Sequence, residues 1–513
     1  MTPPRVLVIA GSDSSGGAGL EADQKVIAAH GCYALTATTA LTAQNTLGVR
    51  NVHVVPSGFV GEQIDACVED IGVDVVKTGM LASAETIDVI AKRITEHKLQ
   101  NLVVDPVMIS TSGSELLPSS AVSHLSTHLL PLTTILTPNI PEANLILSQN
   151  SLQPVDIRTP ADLETMARGI RALGPKWVLV KGGHVPFKDD LTVAGDDDGE
   201  KKLVVDVLAG PDEDDAVWVQ SAWQSSTSTH GTGCSLASAI ASGLAKGNDV
   251  PSAVRSACRY VEVGIQTAPK LGAGNGPLNH FHSTFSLPFS PGYFIEYMLN
   301  RPDVKPVWER FVHHPFVMAM GNGTLPIESF KGYIIQDYLY LIHFARANAL
   351  GAYKASNMGD IARASQIVGH IMTETKLHIN YCESFGISLA EITATEEKQA
   401  CTAYTRYVLD IGQSQDWLAL QVALAPCLLG YGAVAKMLHA NDATDKSNAN
   451  TYWPWIENYV AEDYVEAVRL GSELLEKHAL LQSPTRIEEL VKIFIHATKM
   501  EIGFWEMFPA TAI

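Results

Sequence analysis

His230-Gly231-Thr232-Gly233-Cys234 runs directly into Ser235-Leu236-Ala237-Ser238-Ala239-Ile240-Ala241-Ser242-Gly243-Leu244-Ala245, a small-residue stretch whose pattern predicts a helix. The glycines let the backbone turn so that several N–H groups face outward where the helix dipole also favours negative charge. A phosphate fits such a place. The same residues would also form a plain glycine turn ahead of an ordinary core helix, so the surrounding segments must decide.

Upstream of this turn, short β-branched runs alternate with helical patterns. Residues 6–10, 75–78, 102–105, 134–137 and 177–181 each end in Gly, Pro or a polar residue. Unbroken apolar runs of this length predict strands buried on both faces of a parallel sheet, where ligands gather at the carboxyl ends. Downstream, Gly272-Ala273-Gly274-Asn275-Gly276-Pro277 and residues 283–292 cannot continue a helix and predict an interdomain connection. From Tyr293 onward strand signals fade and long helical patterns take over, predicting an all-α second domain. With 513 residues, more than one domain is expected.

The balance of 36 basic against 55 acidic residues gives a net charge of −19 with no basic stripe, which argues against nucleic acid or an anionic membrane as partner. Asp196-Asp197-Asp198-Gly199-Glu200 and Asp212-Glu213-Asp214-Asp215 read as solvated loop or hairpin tips. The seven cysteines are scattered and lack C-x-x-C spacing, so neither a disulfide framework nor a zinc site is suggested and a reduced, cytoplasmic chain is expected. The first apolar run is too short for a secretory signal. The long apolar stretch 417–438 is interrupted by Gln421, Pro426 and Lys436 and predicts a buried helix rather than a membrane span.

Gly11-Ser12-Asp13-Ser14-Ser15-Gly16-Gly17-Ala18-Gly19 follows the first strand, yet it lacks the Gly-Lys-Ser/Thr ending of a P-loop and the spaced glycines of a dinucleotide fingerprint. Together with Thr42-Ala43-Gln44-Asn45-Thr46, Lys77-Thr78-Gly79-Met80, Asp105-Pro106-Val107-Met108, Thr137-Pro138-Asn139-Ile140-Pro141-Glu142, Lys181-Gly182-Gly183-His184 and the opening turn, it resembles the hydroxymethylpyrimidine and hydroxymethylpyrimidine-phosphate kinases of thiamine biosynthesis. The resemblance spans residues 5–282 and implies a ribokinase-like α/β fold, with a central, mostly parallel sheet flanked by helices. It implies that Asp23 and Gln44 hydrogen-bond an aminopyrimidine walled by Gly11, Met80 and Val107. It also implies that Asp105 and Glu142 hold Mg2+, that Asn139, Gly231, Thr232 and Gly233 bind ATP, and that Lys181 lies against its phosphates. Cys234 stands where many sugar kinases of the superfamily carry an aspartate base. A helix N-terminus lowers a thiol pKa, so a thiolate is expected to accept the hydroxymethyl proton in the first of two phosphorylations.

The second half resembles thiaminase II, the TenA-type helical family, across residues 295–513. The matching pieces are His314-Pro315-Phe316, Gly323-Thr324-Leu325-Pro326, Gln336-Asp337-Tyr338-Leu339-Tyr340-Leu341, His343-Phe344-Ala345, Ala425-Pro426-Cys427 and Glu501-Ile502-Gly503-Phe504-Trp505. The resemblance implies a haem-oxygenase-like bundle needing no cofactor. Cys427 would be the nucleophile toward a pyrimidine ring carbon, Asp337 would hold the amino side and Glu501 would move the proton. Tyr340, Tyr404, Tyr431 and Tyr459 would surround the ring. Ala400-Cys401-Thr402-Ala403-Tyr404 lacks the proline often found before the family's Thr-Ala-Tyr.

The two resemblances imply one bifunctional thiamine-pathway enzyme, similar to fungal kinase–thiaminase II fusions: kinase 1–282, linker 283–294, hydrolase 295–513. The second half would turn aminomethylpyrimidine or thiamine into hydroxymethylpyrimidine, the alcohol that the first half phosphorylates twice with ATP. Small pyrimidines and ATP are the expected partners, within a homo-oligomer. Two other readings stay open: a pyridoxal-type kinase for the first half and, for the second, a regulatory or assembly module that has lost catalysis.

Overall fold

Strand β1 (Arg5–Ala10) is buried from Val6 to Ala10, which is why it reads as an unbroken apolar run. Its period-2 alternation sends Leu7 and Ile9 into one apolar cluster and Val6, Val8 and Ala10 into another, so the sheet has a core on each face. The computed structural model describes residues 2–108, 117, 119–195, 199–212 and 216–511. The acidic tips at 196–198 and 213–215 lie outside them.

After β1 come β2 (Tyr33–Thr38), β3 (Ala40–Asn45), β4 (Gly48–Val54), β5 (Val75–Thr78), β6 (Leu102–Val104), β7 (Ile135–Leu136), β8 (Trp177–Val180), β9 (Leu203–Ala209) and β10 (Ala216–Ala222). Eight of these form one sheet in the order β10-β9-β8-β7-β6-β5-β1-β2. The pairs from β2 to β8 are parallel, and β9 and β10 run antiparallel at one side. This is the ribokinase-like α/β architecture. Strands β3 and β4 form a separate hairpin whose register shifts at Ala43/Gln44. The helix Thr232–Ala245 begins at Gly231 and buries Leu236, Ala237, Ala239, Ile240 and Ala241 in one of the two face cores. Its small residues let it approach the sheet closely.

The chain divides into two compact units, Met1–Thr284 and Phe285–Ile513. Among its described residues the second unit is all-helical, with eleven α-helices. The apolar helix Trp417–Ala440 has 78% of its most apolar window buried inside the unit and carries Pro426 within it. Around it lies one large core rich in aromatic rings. Trp505 stacks between Phe311, at 6.0 Å, and Phe316, at 5.4 Å between centroids. Each such pair contributes roughly 0.5–1.5 kcal/mol beyond area burial. The Phe316 of His-Pro-Phe and the Trp505 that closes the last helix are therefore packing residues, and their stack holds that helix in place.

Candidate active sites

In the first unit, the ends of the parallel strands deliver the polar residues. β1 leads into Gly11, β5 into Gly79 and Met80, β6 into Asp105, β7 into Asn139 and β8 into Lys181, and all of them line one cavity of about 690 Å³. Gly231, Thr232, Gly233 and Cys234 close one wall, while Gln44, Met80 and Val107 line another. Gly231 has φ +80° and is the N-cap of its helix. A Cβ there would collide with the Gly17 carbonyl, so the glycine-rich loop and the anion turn meet backbone to backbone. Gly233 is tight for a different reason: a Cβ would stand 3.1 Å from Lys181 Nζ and 3.6 Å from Asp105 Oδ2. The lysine thus reaches the start of the helix, where an anion would sit.

Lys181 Nζ donates to Asp105 Oδ1 at 2.8 Å. Burial works against its charge, but Asp105 and Glu142 more than offset this and raise its pKa. Asn139 and Glu142 form a capping box: the Glu142 amide donates to Asn139 Oδ1 and the Asn139 amide to Glu142 Oε2, each at 2.9 Å. Burial pushes the Glu142 carboxyl up to about 7, with Lys181 pulling it down and Asp105 pushing it further up. Crowded carboxylates of this kind suit a hard divalent cation, which takes oxygen ligands.

Two expectations require correction. Asp23 is fully buried and does not line the cavity; its carboxylate accepts from Lys77 Nζ at 2.8 Å and from Ser238 Oγ at 2.7 Å. Lys77 is equally buried, and despite desolvation the nearby Asp23 raises its pKa. Asp23 thus anchors a charge pair inside the fold rather than contacting a ligand. Cys234 also departs from expectation. Burial pushes its thiol up to about 11, with Asp23 and Asp105 adding to the rise, against the pull of Lys77 and the Gly19 amide. That direction is opposite to the one expected of a helix start.

Asp13 and His230, to which neither motif nor resemblance assigns a role, meet at the same cavity. His230 Nε2 lies 2.8 Å from Asp13 Oδ2 and 3.2 Å from Gln44 Nε2. Asp13 also accepts from the amides of Ser15, Gly17 and Ala18. Burial alone would raise its pKa, yet His230 and these donors bring it down to about 2. Asp13 therefore organises the glycine-rich loop, and His230 links that loop to Gln44. The far end of the cavity, at Trp223, Gln224, Val261 and Ile265, was likewise not foreseen. It belongs to loop and helix residues with no motif of their own.

In the second unit, four long helices and one short one supply the site. Ile327–Lys354 carries Asp337 and Tyr340, Gln399–Ser414 carries Tyr404, Trp417–Ala440 carries Cys427 and Tyr431, and Pro484–Trp505 carries Glu501, while Tyr459 follows Trp453–Asn458. The Tyr404 hydroxyl donates to Glu501 Oε1 at 2.7 Å. Tyr340 stacks on Tyr404 at 5.1 Å, and Tyr431 packs against Tyr459 at 5.2 Å. Burial pushes Glu501 up to about 8, with Asp337 adding to the rise and the Tyr404 and Tyr431 hydroxyls opposing it. The pKa values of Tyr340, Tyr404 and Tyr431 lie well above the ordinary value, chiefly through burial and partly through the charges of Glu501 and Cys427. All seven residues expected at this site therefore meet. Tyr333, one turn before Asp337 and buried against Trp505 and Phe504, joins them unforeseen. Its spacing of four from Asp337 is the signal that would have found it.

The phosphomethylpyrimidine kinase family model matches residues 13–279, and the TENA/THI-4/PQQC family model matches residues 301–509. A Schizosaccharomyces pombe protein provisionally named hydroxymethylpyrimidine/phosphomethylpyrimidine kinase 2 is 43% identical over 98% of this chain and 90% of its own length. The Saccharomyces cerevisiae hydroxymethylpyrimidine/phosphomethylpyrimidine kinase THI20 is 34% identical over 98% of this chain and 95% of its own. The structure of a pyridoxal kinase from Staphylococcus aureus in complex with pyridoxal is 27% identical, covers 55% of this chain and 95% of its own, and has a TM-score of 0.47. The chain belongs to the phosphomethylpyrimidine kinase family, joined in one polypeptide to a TENA/THI-4/PQQC-family domain.

Proposed function

We propose that the first unit phosphorylates 4-amino-5-hydroxymethyl-2-methylpyrimidine to its monophosphate and then its diphosphate with ATP, and that the second hydrolyses aminomethylpyrimidine or thiamine to that alcohol. The observation that carries the kinase reading is the single cavity lined by both the Gly231–Cys234 turn and the Gln44, Met80 and Val107 walls. Donor phosphates would take the helix-start amides and Lys181, which neutralise charge where it develops. The heteroaromatic acceptor would lie between Met80 and Val107, with Gln44 held in place by His230 to meet its polar edge. Asp105 and Glu142 would hold Mg2+, which supplies charge neutralisation for the transferred phosphoryl group. Cys234 rests protonated, so the proton acceptor we assign to the alcohol step is its minor thiolate form, reached after the thiol proton has left to water; the second step needs none, because its nucleophile is an already ionised phosphate.

In the second unit, Cys427 would add to a ring carbon of the pyrimidine while Asp337 holds the amino side. A Glu501 carboxyl that stays protonated near neutral pH is suited to donating a proton to the leaving amine and then taking one from water. The free thiols of all seven cysteines favour a reducing, cytoplasmic setting. We place the functional boundary in residues 283–294 and expect a homo-oligomer, measurable by light scattering.

The test is to incubate the chain with aminomethylpyrimidine, then add ATP and Mg2+, and follow the products by mass. The alcohol should appear without ATP and the mono- and diphosphate only with it. Cys427→Ser should stop the first conversion and leave phosphorylation of added alcohol intact. If pyridoxal outcompetes the pyrimidine for the kinase in the same mixture, the acceptor assignment falls.

A further inference from the structure

Away from both sites, the helix Ala84–Glu96 and a short stretch near residue 124 bring together three side chains able to ligate a metal. Asp88 lies just past the first turn of the helix. His124 ends the helix Ser119–His124 and directly precedes a single π turn, Leu125–Leu129, that contains His128. π turns are rare, appear mostly as single-turn bulges and are frequent at functional sites.

Asp88 Oδ1 lies 2.9 Å from His124 Nδ1 and 3.8 Å from His128 Nε2. One ligand atom from each of the three residues lies within 4.8 Å of the other two. A hydrogen bond accounts for the first contact, but 3.8 Å is beyond hydrogen-bond reach. Two imidazoles therefore approach one carboxylate oxygen, which pairs closely with only His124. Around a tetrahedral zinc-type ion, with N and O ligands near 2.0–2.2 Å, neighbouring donor atoms stand roughly 3.4 Å apart. The three donors already straddle that spacing. The rings are tilted by 49° with centroids 5.7 Å apart, so they are not stacked face to face. All three side chains are 38–49% exposed, which leaves them free to adjust and open to ions from solvent.

We propose that Asp88, His124 and His128 form a surface site for a divalent transition-metal ion of the zinc class, completed by water, that ties the helix Ala84–Glu96 to the π turn. Two imidazoles and one carboxylate favour such ions over Mg2+, which prefers oxygen ligands and retained water. This donor set separates the site from the all-oxygen pair Asp105 and Glu142.

The test uses the full chain, stripped with a chelator and titrated with Zn2+ by calorimetry, with Co2+ absorption in parallel. The wild-type chain should bind one equivalent more than His128→Ala and Asp88→Asn, or bind that equivalent at least about tenfold more tightly. Zn2+ should raise the thermal midpoint of the first unit in the wild type and not in His128→Ala. Kinase turnover without added zinc should be the same in both. Equal stoichiometry and affinity in wild type and both variants would overturn the site. So would a Co2+ spectrum dominated by thiolate charge transfer that His128→Ala leaves unchanged, because the ion would then sit on a cysteine.

Discussion

Two buried acids of the first unit and one of the second take opposite kinds of partner. In the first, Asp23 is paired with Lys77 and Asp105 with Lys181, each at 2.8 Å, so these acids have a lysine partner. In the second, Glu501 is fully enclosed among phenols, with the Tyr404 hydroxyl as its close partner, and its pKa rises to about 8. The difference follows the chemistry proposed for each. Phosphoryl transfer needs fixed charges that hold phosphates and change little through the reaction. Addition and elimination at a ring need a proton that can be given and taken near neutral pH. Lysine partners suit the first need and hydroxyl partners the second.

The comparison breaks most visibly at Glu501. Glu501→Gln should lower hydrolase turnover by about 10²–10⁴-fold with kinase turnover unchanged, measured on the two reactions separately. The same variant should show a pH-dependent gain in stability. The folded carboxyl stays protonated up to about pH 8, whereas a free one ionises near 4.5. Its contribution is therefore fully present below the free value and lost as pH rises through 8. The glutamine variant escapes that loss, so its advantage in thermal midpoint should grow between pH 5 and pH 8. A constant offset would mean that the carboxyl is not desolvated in solution.

The next largest effect concerns Asp23. Lys77→Met leaves a buried carboxylate unpaired and should destabilise the first unit by about 3–5 kcal/mol in denaturant melts, with the double variant Asp23→Leu/Lys77→Met recovering part of that loss. A ligand-binding Asp23 would instead give a raised KM at unchanged stability.

Gly233→Ala should weaken ATP use by roughly tenfold, since the added methyl presses on the Lys181 ammonium. ATP saturation curves read this directly. Cys234→Ala sharpens the comparison from the kinase side: the alcohol step should lose more than the monophosphate step, by roughly tenfold or more. With the thiol at about 11, the wild-type alcohol step should also quicken with pH from 6 to 9 while the second step stays flat. Matching pH profiles for both steps would remove Cys234 as the proton acceptor.

Strands β1, β5, β6, β7 and β8 were legible because burial on both faces leaves a solid apolar run. Strands β2, β9 and β10 were not: β2 and β10 are half-buried edges that mix Tyr, Thr or Gln with apolar residues, and Asp206 interrupts the interior strand β9. The hairpin β3–β4 was hidden for the same reason, with Leu41 and Val54 exposed. In the bundle, spacing showed only that Asp337 and Tyr340, three apart, and Cys427 and Tyr431, four apart, share helix faces; Glu501, Tyr404 and Tyr459 came from the family resemblance, and Tyr333 from neither. Asp23 shows the limit of motif reading. The family resemblance implied a ligand contact for it, and only the fold reveals that Lys77, fifty-four residues later, claims its carboxylate.

The backbone contact between Gly17 and Gly231 bears on how such a site can change over time. The separation of loop and turn depends on hydrogen atoms at two α-carbons, so no side-chain exchange at Met80, Val107 or Gln44 need alter it. The pocket proposed for the acceptor can therefore drift toward other small heteroaromatics by ordinary substitution, while the turn proposed for the phosphates stays in place. Relatives that share this hinge of glycines should differ in what they phosphorylate far more readily than in whether they phosphorylate.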